Sequence, residues 1–204
     1  IYSFPGFVSG LSKAVSYNCA VGGSSGSMRP GDNSDFPNLV DAFFAENKLV
    51  LNDGSTLLYP DAFQGGDIKD KNICFIINFG TNDYFSGCAV ENPQDPLDQT
   101  TYKGALRYCI LRLQERFPQA RYVLVSPTHL GVTTEVQSYP LTDYVTALEE
   151  VAREMDVYFI DNYHDFVITE ENIPDYLSDG CHPNEDGRLA MAVRIMDFIE
   201  KEME

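Results

Sequence analysis

Positive charge is scarce in this chain: 14 Lys and Arg stand against 31 Asp and Glu over 204 residues, a net charge of -17. Nucleic acid and anionic membrane surfaces both need clustered cations, so neither is expected as a partner. The surplus acid reads as a solvated surface that keeps the protein soluble, and it suits neutral or cationic ligands better than polyanions. Long apolar runs are missing too. None approaches the roughly 18 to 20 residues of a membrane span, and the first residues lack the basic, apolar and small-residue order of a secretory leader. The chain opens on Ile1 rather than Met, so its start reads as a cut or processing point. A cytoplasmic location is expected, or a secreted one if an upstream signal was removed.

Cysteine and histidine are equally uninformative as metal or disulfide frameworks. The five cysteines, at 19, 74, 88, 109 and 181, contain no Cys-x-x-Cys pair, and nothing about them demands an oxidising compartment. Cys74 lies in an apolar strand pattern and Cys109 on the apolar face of a helix pattern, as core thiols do. Three histidines with no His-x-His or His-x-x-x-His spacing offer no metal site. A glycine-rich phosphate loop is also absent. Neither metal nor cofactor is expected.

What the chain does contain is a regular alternation. Apolar runs at 73–79, 122–125 and 157–160, with a shorter one at 16–20, read as strands; the near-continuous Ile73–Phe79 run suits a strand covered on both faces. Between them Tyr102, Leu106, Cys109, Ile110, Leu113 and Phe117 recur at helical spacing, as do Leu141, Tyr144, Val145, Leu148, Val151 and Met155, and then Leu189, Ala192, Val193, Met196 and Ile199. Further helices are expected over 4–15 and about 35–47. Strands alternating with helices predict an α/β fold with a doubly wound parallel sheet between two helical layers. With no internal repeat and no linker, residues 1–204 read as a single domain. The stretches 22–34, 84–100 and 126–139 exceed plain connections, and each follows a predicted strand end, where open α/β sheets place ligands.

Three segments carry polar groups to those strand ends. Asp179-Gly180-Cys181-His182 puts a carboxylate three residues before an imidazole, on a loop that Pro183 stiffens and Asn184 turns into a capped helix. A general-base imidazole needs such a partner to fix its tautomer and balance its charge, although Asp-x-x-His is also an ordinary loop hydrogen bond. Gly80-Thr81-Asn82-Asp83 leaves the most apolar strand, and the Asn82 amide there is either a donor for developing negative charge or part of an Asx turn. Asn18-Cys19-Ala20-Val21-Gly22-Gly23 is a second glycine-rich exit whose backbone N–H groups are a further source of donors, or else a flexible turn.

In this order and spacing the three segments resemble the second, third and fifth sequence blocks of the SGNH, or GDSL, hydrolases. The resemblance implies a flavodoxin-like SGNH-hydrolase fold, a serine-dependent hydrolysis of small O-acyl esters (acetylated carbohydrates or short-chain lipid esters), no cofactor, and the following roles. Gly23 and Asn82 are oxyanion donors, His182 is the general base and acid, and Asp179 orients it. The first block, Gly-Asp-Ser with its nucleophile, is absent. Its serine is expected just N-terminal of Ile1 together with the first strand; Ser3 is a poor alternative, without the Gly-Asp context. Cys181, next to His182, is expected to point elsewhere. Tyr84 and Phe85 either wall a substrate pocket or pack the loop. His129 and His164 are expected as loop histidines. Two other readings stand beside this one: a non-catalytic ligand-binding member of the same fold, and a metal-dependent phosphoesterase. Oligomeric state is not readable from the sequence.

Overall fold

Fifteen residues of continuous helical pattern are the anchor of the larger of two compact units. In the computed structural model, which describes residues 4–11, 15–45, 48–58, 72–133, 135–136 and 138–202, this unit gathers Cys19–Pro127 and Glu135–Phe159. Its helices are α2 (Phe36–Ala45), α3 (Thr81–Ser86), α4 (Tyr102–Arg116) and α5 (Leu141–Glu154). The strands β1 (Lys48–Val50) and β2 (Thr56–Leu58) pair as an antiparallel hairpin. A separate sheet has the order β3 (Cys74–Ile77), β4 (Arg121–Val125), β5 (Tyr158–Ile160). β3 and β4 run parallel with Cys74 opposite Arg121 and Ile77 opposite Leu124. The expected α/β architecture of parallel strands and covering helices is thus present.

α4 forms where the sequence calls for it. Thr101 caps it by accepting the Gly104 N–H at 3.3 Å, and its stripe Tyr102, Leu106, Cys109 and Ile110 is wholly buried. It packs on α5, where Tyr144, Leu148 and Val151 are equally buried and the Tyr144 ring lies 5.4 Å from that of Tyr102, and α5 packs in turn on β4, whose Val123, Leu124 and Val125 are buried. Lys103 seals the rim between α4 and α5, its ammonium within 2.9 Å of Glu150 and 3.1 Å of Glu91.

The other unit, Ile1–Asn18, Thr128–Thr134 and Ile160–Glu204, contains α1 (Phe4–Leu11), α6 (Ile173–Tyr176) and α7 (Glu185–Glu202). α7 packs against both α1 and α6. Ile168, Ile173 and Leu177 make a small buried cluster beside Phe166 and Tyr176.

Several expectations need correction. The 16–20 run forms no strand; Ser, Asn and Ala are poor strand formers and the run has no β-branched residue to offset them. β3 is only partly buried over Cys74–Ile76, because it lies at one side of the described three-stranded sheet rather than inside it. The 84–100 connection begins inside a short helix, α3. On α7 the buried face is Gly187, Met191, Ala192 and Ile195, while Leu189 and Val193 stay about two-fifths exposed. Apolar residues four apart can mark either of two faces, and the packing against α1 and α6 decides between them.

Truncating Leu106 to Ala should lower unfolding free energy by about 2–5 kcal/mol, the range for a fully buried leucine, measured by denaturant titration. A loss below about 1 kcal/mol would show that the α4 stripe is not the core of this unit.

Candidate active site

The Asp179–His182 loop is built by local bonds before it is supported by anything distant. Asp179 Oδ1 accepts the backbone N–H of His182 at 2.7 Å and of Cys181 at 3.0 Å, and its Oδ2 lies 2.8 Å from His182 Nδ1. Both oxygens are therefore committed, one to fixing the loop and one to the ring. The bond at Nδ1 selects the tautomer with the proton there and leaves Nε2 as the basic nitrogen. The His182 side chain is 78% exposed, so that nitrogen is open to a reactant. The loop is closed by a bridge between Leu177 and Pro183. Asn184 then caps α7, its Oδ1 accepting the Gly187 N–H at 3.0 Å, with Glu185 and Asp186 in the acidic first turn.

In the larger unit, the loop from Gly22 to Arg29 is fixed peptide by peptide. A turn closes where Ser24 N–H donates to the Val21 carbonyl at 3.3 Å, with Gly23 at φ +81°, a conformation in which a side chain would be strained. The Ser24 carbonyl accepts the Asn82 amide at 2.8 Å. Ser25 N–H donates to Asp35 Oδ1 at 3.1 Å, and its carbonyl accepts the Phe36 N–H at 2.9 Å. Gly26 N–H donates to Asp83 Oδ2, and Ser27 N–H to Asp83 Oδ1, both at 2.8 Å. The Ser27 hydroxyl adds a bond to Asp83 at 2.7 Å. Asp35 and Asp83 are fully buried. Burial pushes the Asp83 carboxyl up from its ordinary value, against the pull of the Gly26 and Ser27 donors.

Ser24–Ser27 are buried while Gly22 and Gly23 are exposed. Among the described residues no protein acceptor takes the Gly23 N–H, whereas the next peptides of the loop are occupied. Asn82 spends one amide hydrogen on Ser24 and retains another, in an orientation that this bond sets. Its position follows from Gly80, which leaves the strand at φ +124° with no room for a Cβ beside Pro127 and the Tyr102 hydroxyl. Each unit thus carries its own oriented polar groups: an imidazole held by a carboxylate in one, and an amide and a glycine-rich turn held by the loop network in the other.

The sequence matches the GDSL-like Lipase/Acylhydrolase family over residues 13–189. The chain belongs to that family. It is a carboxylic ester hydrolase of GDSL type. A solved crystal structure superposes with a TM-score of 0.76 at 20% identity, covering 98% of this chain and 86% of the other. A protein from Lactobacillus plantarum gives 0.66 at 20% identity, covering 88% and 78%. The native aryl esterase of M. smegmatis gives 0.60 at 15% identity, covering 98% and 85%. At these identities the superpositions establish the shared fold. No curated protein matches the sequence significantly.

Against the GDSL pattern, the remaining expected residues fall as follows. Tyr84 is buried, its ring 5.3 Å from Phe85 and 6.3 Å from Tyr144, so it packs the core of its unit, and Phe85 is half-buried beside it. Ser3 lies outside the described residues. Cys181 is half-buried, and burial followed by the Asp179 charge pushes its thiol up, away from the thiolate a nucleophile needs. His129 stacks on Tyr163 at 4.2 Å. His164 repeats the dyad geometry, with Nδ1 2.9 Å from Asp161 Oδ2 and its N–H bonded to Oδ1; the hydrogen-bond pattern alone does not separate it from His182. Among the described residues no group of three or more His, Cys, Asp or Glu side chains is arranged to hold a metal ion. Sequence reasoning missed Asp35, Arg29 and the role of Asp83. The signal was present for Arg29, one of two cations in the first 47 residues and set among Asp32, Asp35 and Asp41.

The bond from the His182 N–H, then those from its side chain and the Cys181 N–H, hold the Asp179 carboxyl down at about 2, against an ordinary 3.8. A depressed carboxyl contributes stability above its unfolded value and loses it as pH falls through the folded one, so the loop should keep its form above about pH 4 and lose it between there and about 2. Carbon-13 NMR titration of this carboxyl should give a midpoint near 2. A midpoint near 4 would mean the loop does not hold the carboxylate in solution.

Proposed function

We propose that this hydrolase cleaves a small O-acyl ester, an acetylated carbohydrate or a short-chain lipid ester, through a serine acyl-enzyme. The observation that carries the reading is the 2.8 Å contact between Asp179 and His182 Nδ1, with the carboxylate already anchored by two backbone N–H groups. In this scheme His182 Nε2 takes the proton of the attacking serine hydroxyl, and Asp179 balances the imidazolium. The serine oxygen bonds to the acyl carbon, and the negative charge on the former carbonyl oxygen is met by the Gly23 N–H and the Asn82 amide. Collapse breaks the bond to the leaving alcohol, which takes the proton from His182. Water then repeats the sequence on the acyl-enzyme, losing its proton to His182 and releasing the acid and the free serine.

The nucleophile is the serine of a Gly-Asp-Ser block, a tripeptide that does not occur within the 204 residues. Neutral or cationic substrates fit a chain of net charge -17. The long connections 22–34, 84–100 and 126–139 select among the ester classes.

His182→Ala should abolish most ester hydrolysis with the melting temperature unchanged; retained turnover would refute the assigned base. Asn82→Ala should lower kcat roughly 100- to 1,000-fold, as loss of one oxyanion donor does, and an effect confined to KM would contradict that role. A serine-directed fluorophosphonate followed by peptide mapping reports the nucleophile: a single serine adduct in active protein supports the acyl-enzyme, and full activity without an adduct sinks it.

A further inference from the structure

Arg29 takes no part in the bond-making steps above, yet its side chain is committed to the loop that presents Gly23. Its Nη2, which has two hydrogens, lies within donating distance of three acceptors and shares them among the Gly23 carbonyl at 2.8 Å, Asp35 Oδ1 at 2.7 Å and Asp32 Oδ2 at 2.7 Å. Its Nε donates to Asp35 Oδ1 at 3.1 Å and its backbone N–H to Asp35 Oδ2 at 2.6 Å. Asp35 is fully buried, while the Arg29 side chain is 26% exposed. The guanidinium is therefore seated on a carboxylate that cannot move, and it reaches from there to one backbone carbonyl.

That carbonyl matters because of its place in the turn. The peptide joining Gly23 to Ser24 is held at its N–H by the Val21 carbonyl and at its C=O by Arg29. The Gly23 N–H belongs to the preceding peptide, joined to this one through the φ and ψ of Gly23. Glycine has nearly free choice of φ sign and Gly23 is exposed, so without the second hold those two angles are free to change and the N–H loses its direction. Residues 25–27 are held independently, by Asp35 and Asp83. The Arg29 contact thus acts at the one point of the loop where backbone freedom is greatest.

We propose that Arg29 is a positioning residue for ester hydrolysis: paired with buried Asp35, its guanidinium fixes the Gly23 carbonyl and so aims the Gly23 N–H at the oxyanion. The inference rests on the assignment of Gly23 and Asn82 as oxyanion donors. Arginine is required because its planar fork satisfies the carboxylate and the carbonyl together, whereas a lysine ammonium is a compact point charge that keeps the pairing with Asp35 and loses the geometry.

The test compares Arg29→Lys and Arg29→Met with Asn82→Ala in p-nitrophenyl acetate hydrolysis, with thermal melting and with inhibition by a trifluoromethyl ketone, which forms a tetrahedral oxyanion adduct. Both Arg29 variants should lower kcat roughly 10- to 100-fold, the scale of a displaced donor, with KM within about two-fold. Ketone affinity should fall in step with kcat. Arg29→Lys keeps a cation on Asp35, so it should melt with the parent protein and keep the test valid if Arg29→Met unfolds. Unchanged kcat in Arg29→Lys, a change in KM alone, or ketone affinity that stays constant while kcat falls would each overturn the role of Arg29. If Asn82→Ala lowers kcat in that same experiment, the oxyanion assignment survives; if it does not, the assignment falls and takes the Arg29 inference with it.

Discussion

A carboxylate taken out of water has to be surrounded by donors, and two such groups dictate the form of the glycine-rich loop. Asp35 and Asp83 are both fully buried, and an isolated ionised carboxylate in that position would cost many kcal/mol. Asp83 is met by the Gly26 and Ser27 N–H groups and the Ser27 hydroxyl, and Asp35 by the Ser25 and Arg29 N–H groups, the Ser25 hydroxyl and the Arg29 guanidinium, so the loop must wrap closely around the two acids. Close wrapping is why the segment reads Ser-Ser-Gly-Ser: larger side chains would hold the backbone away from the oxygens. The exposed Gly22-Gly23 turn is the continuation of this anchored segment, and it inherits its position from it.

In the function proposed here, the same constraint explains how neutral donors would be ready before any substrate arrives. Electrostatic stabilisation of a transition state is effective when the dipoles need not reorganise. Here the Asn82 amide is oriented by a bond to Ser24, and Ser24 is followed directly by the residues that Asp35 and Asp83 hold. Folding free energy has been spent on orientation in advance. The α4–α5–β4 core, with its fully buried Tyr102 and Tyr144, supplies the rigid backing, since the Tyr102 hydroxyl bonds the Phe79 carbonyl just before the Gly80 turn.

Legibility in the sequence followed the distance over which each pattern acts. The stripes of α4 and α5 are visible because helical burial repeats every three or four residues, and Asp179–His182 is visible because its partners are three residues apart. Asp83 meets Gly26 and Ser27 across 56 to 57 residues of chain, and it does so through backbone N–H groups that every non-proline residue possesses. No residue-type pattern records such a bond. The buried face of α7 was misassigned for a related reason: Leu189 and Val193 are as apolar as Met191 and Ile195, and only the position of neighbouring segments decides between them. The Asp161–His164 pair adds a caution in the other direction, since a local motif can reproduce a dyad's geometry without the Pro183-Asn184 exit that follows His182.

The sequence-local character of the Asp179–His182 contact also bears on how such a protein can change. Two groups three residues apart are near each other even in an unfolded chain, so closing their contact costs little entropy and returns little global stability. The orientation of the imidazole is thereby decoupled from the energetics of the core. Substitutions that repack α4 and α5 can accumulate, altering robustness or temperature range, while the small ring of atoms that sets the imidazole's tautomer is inherited intact.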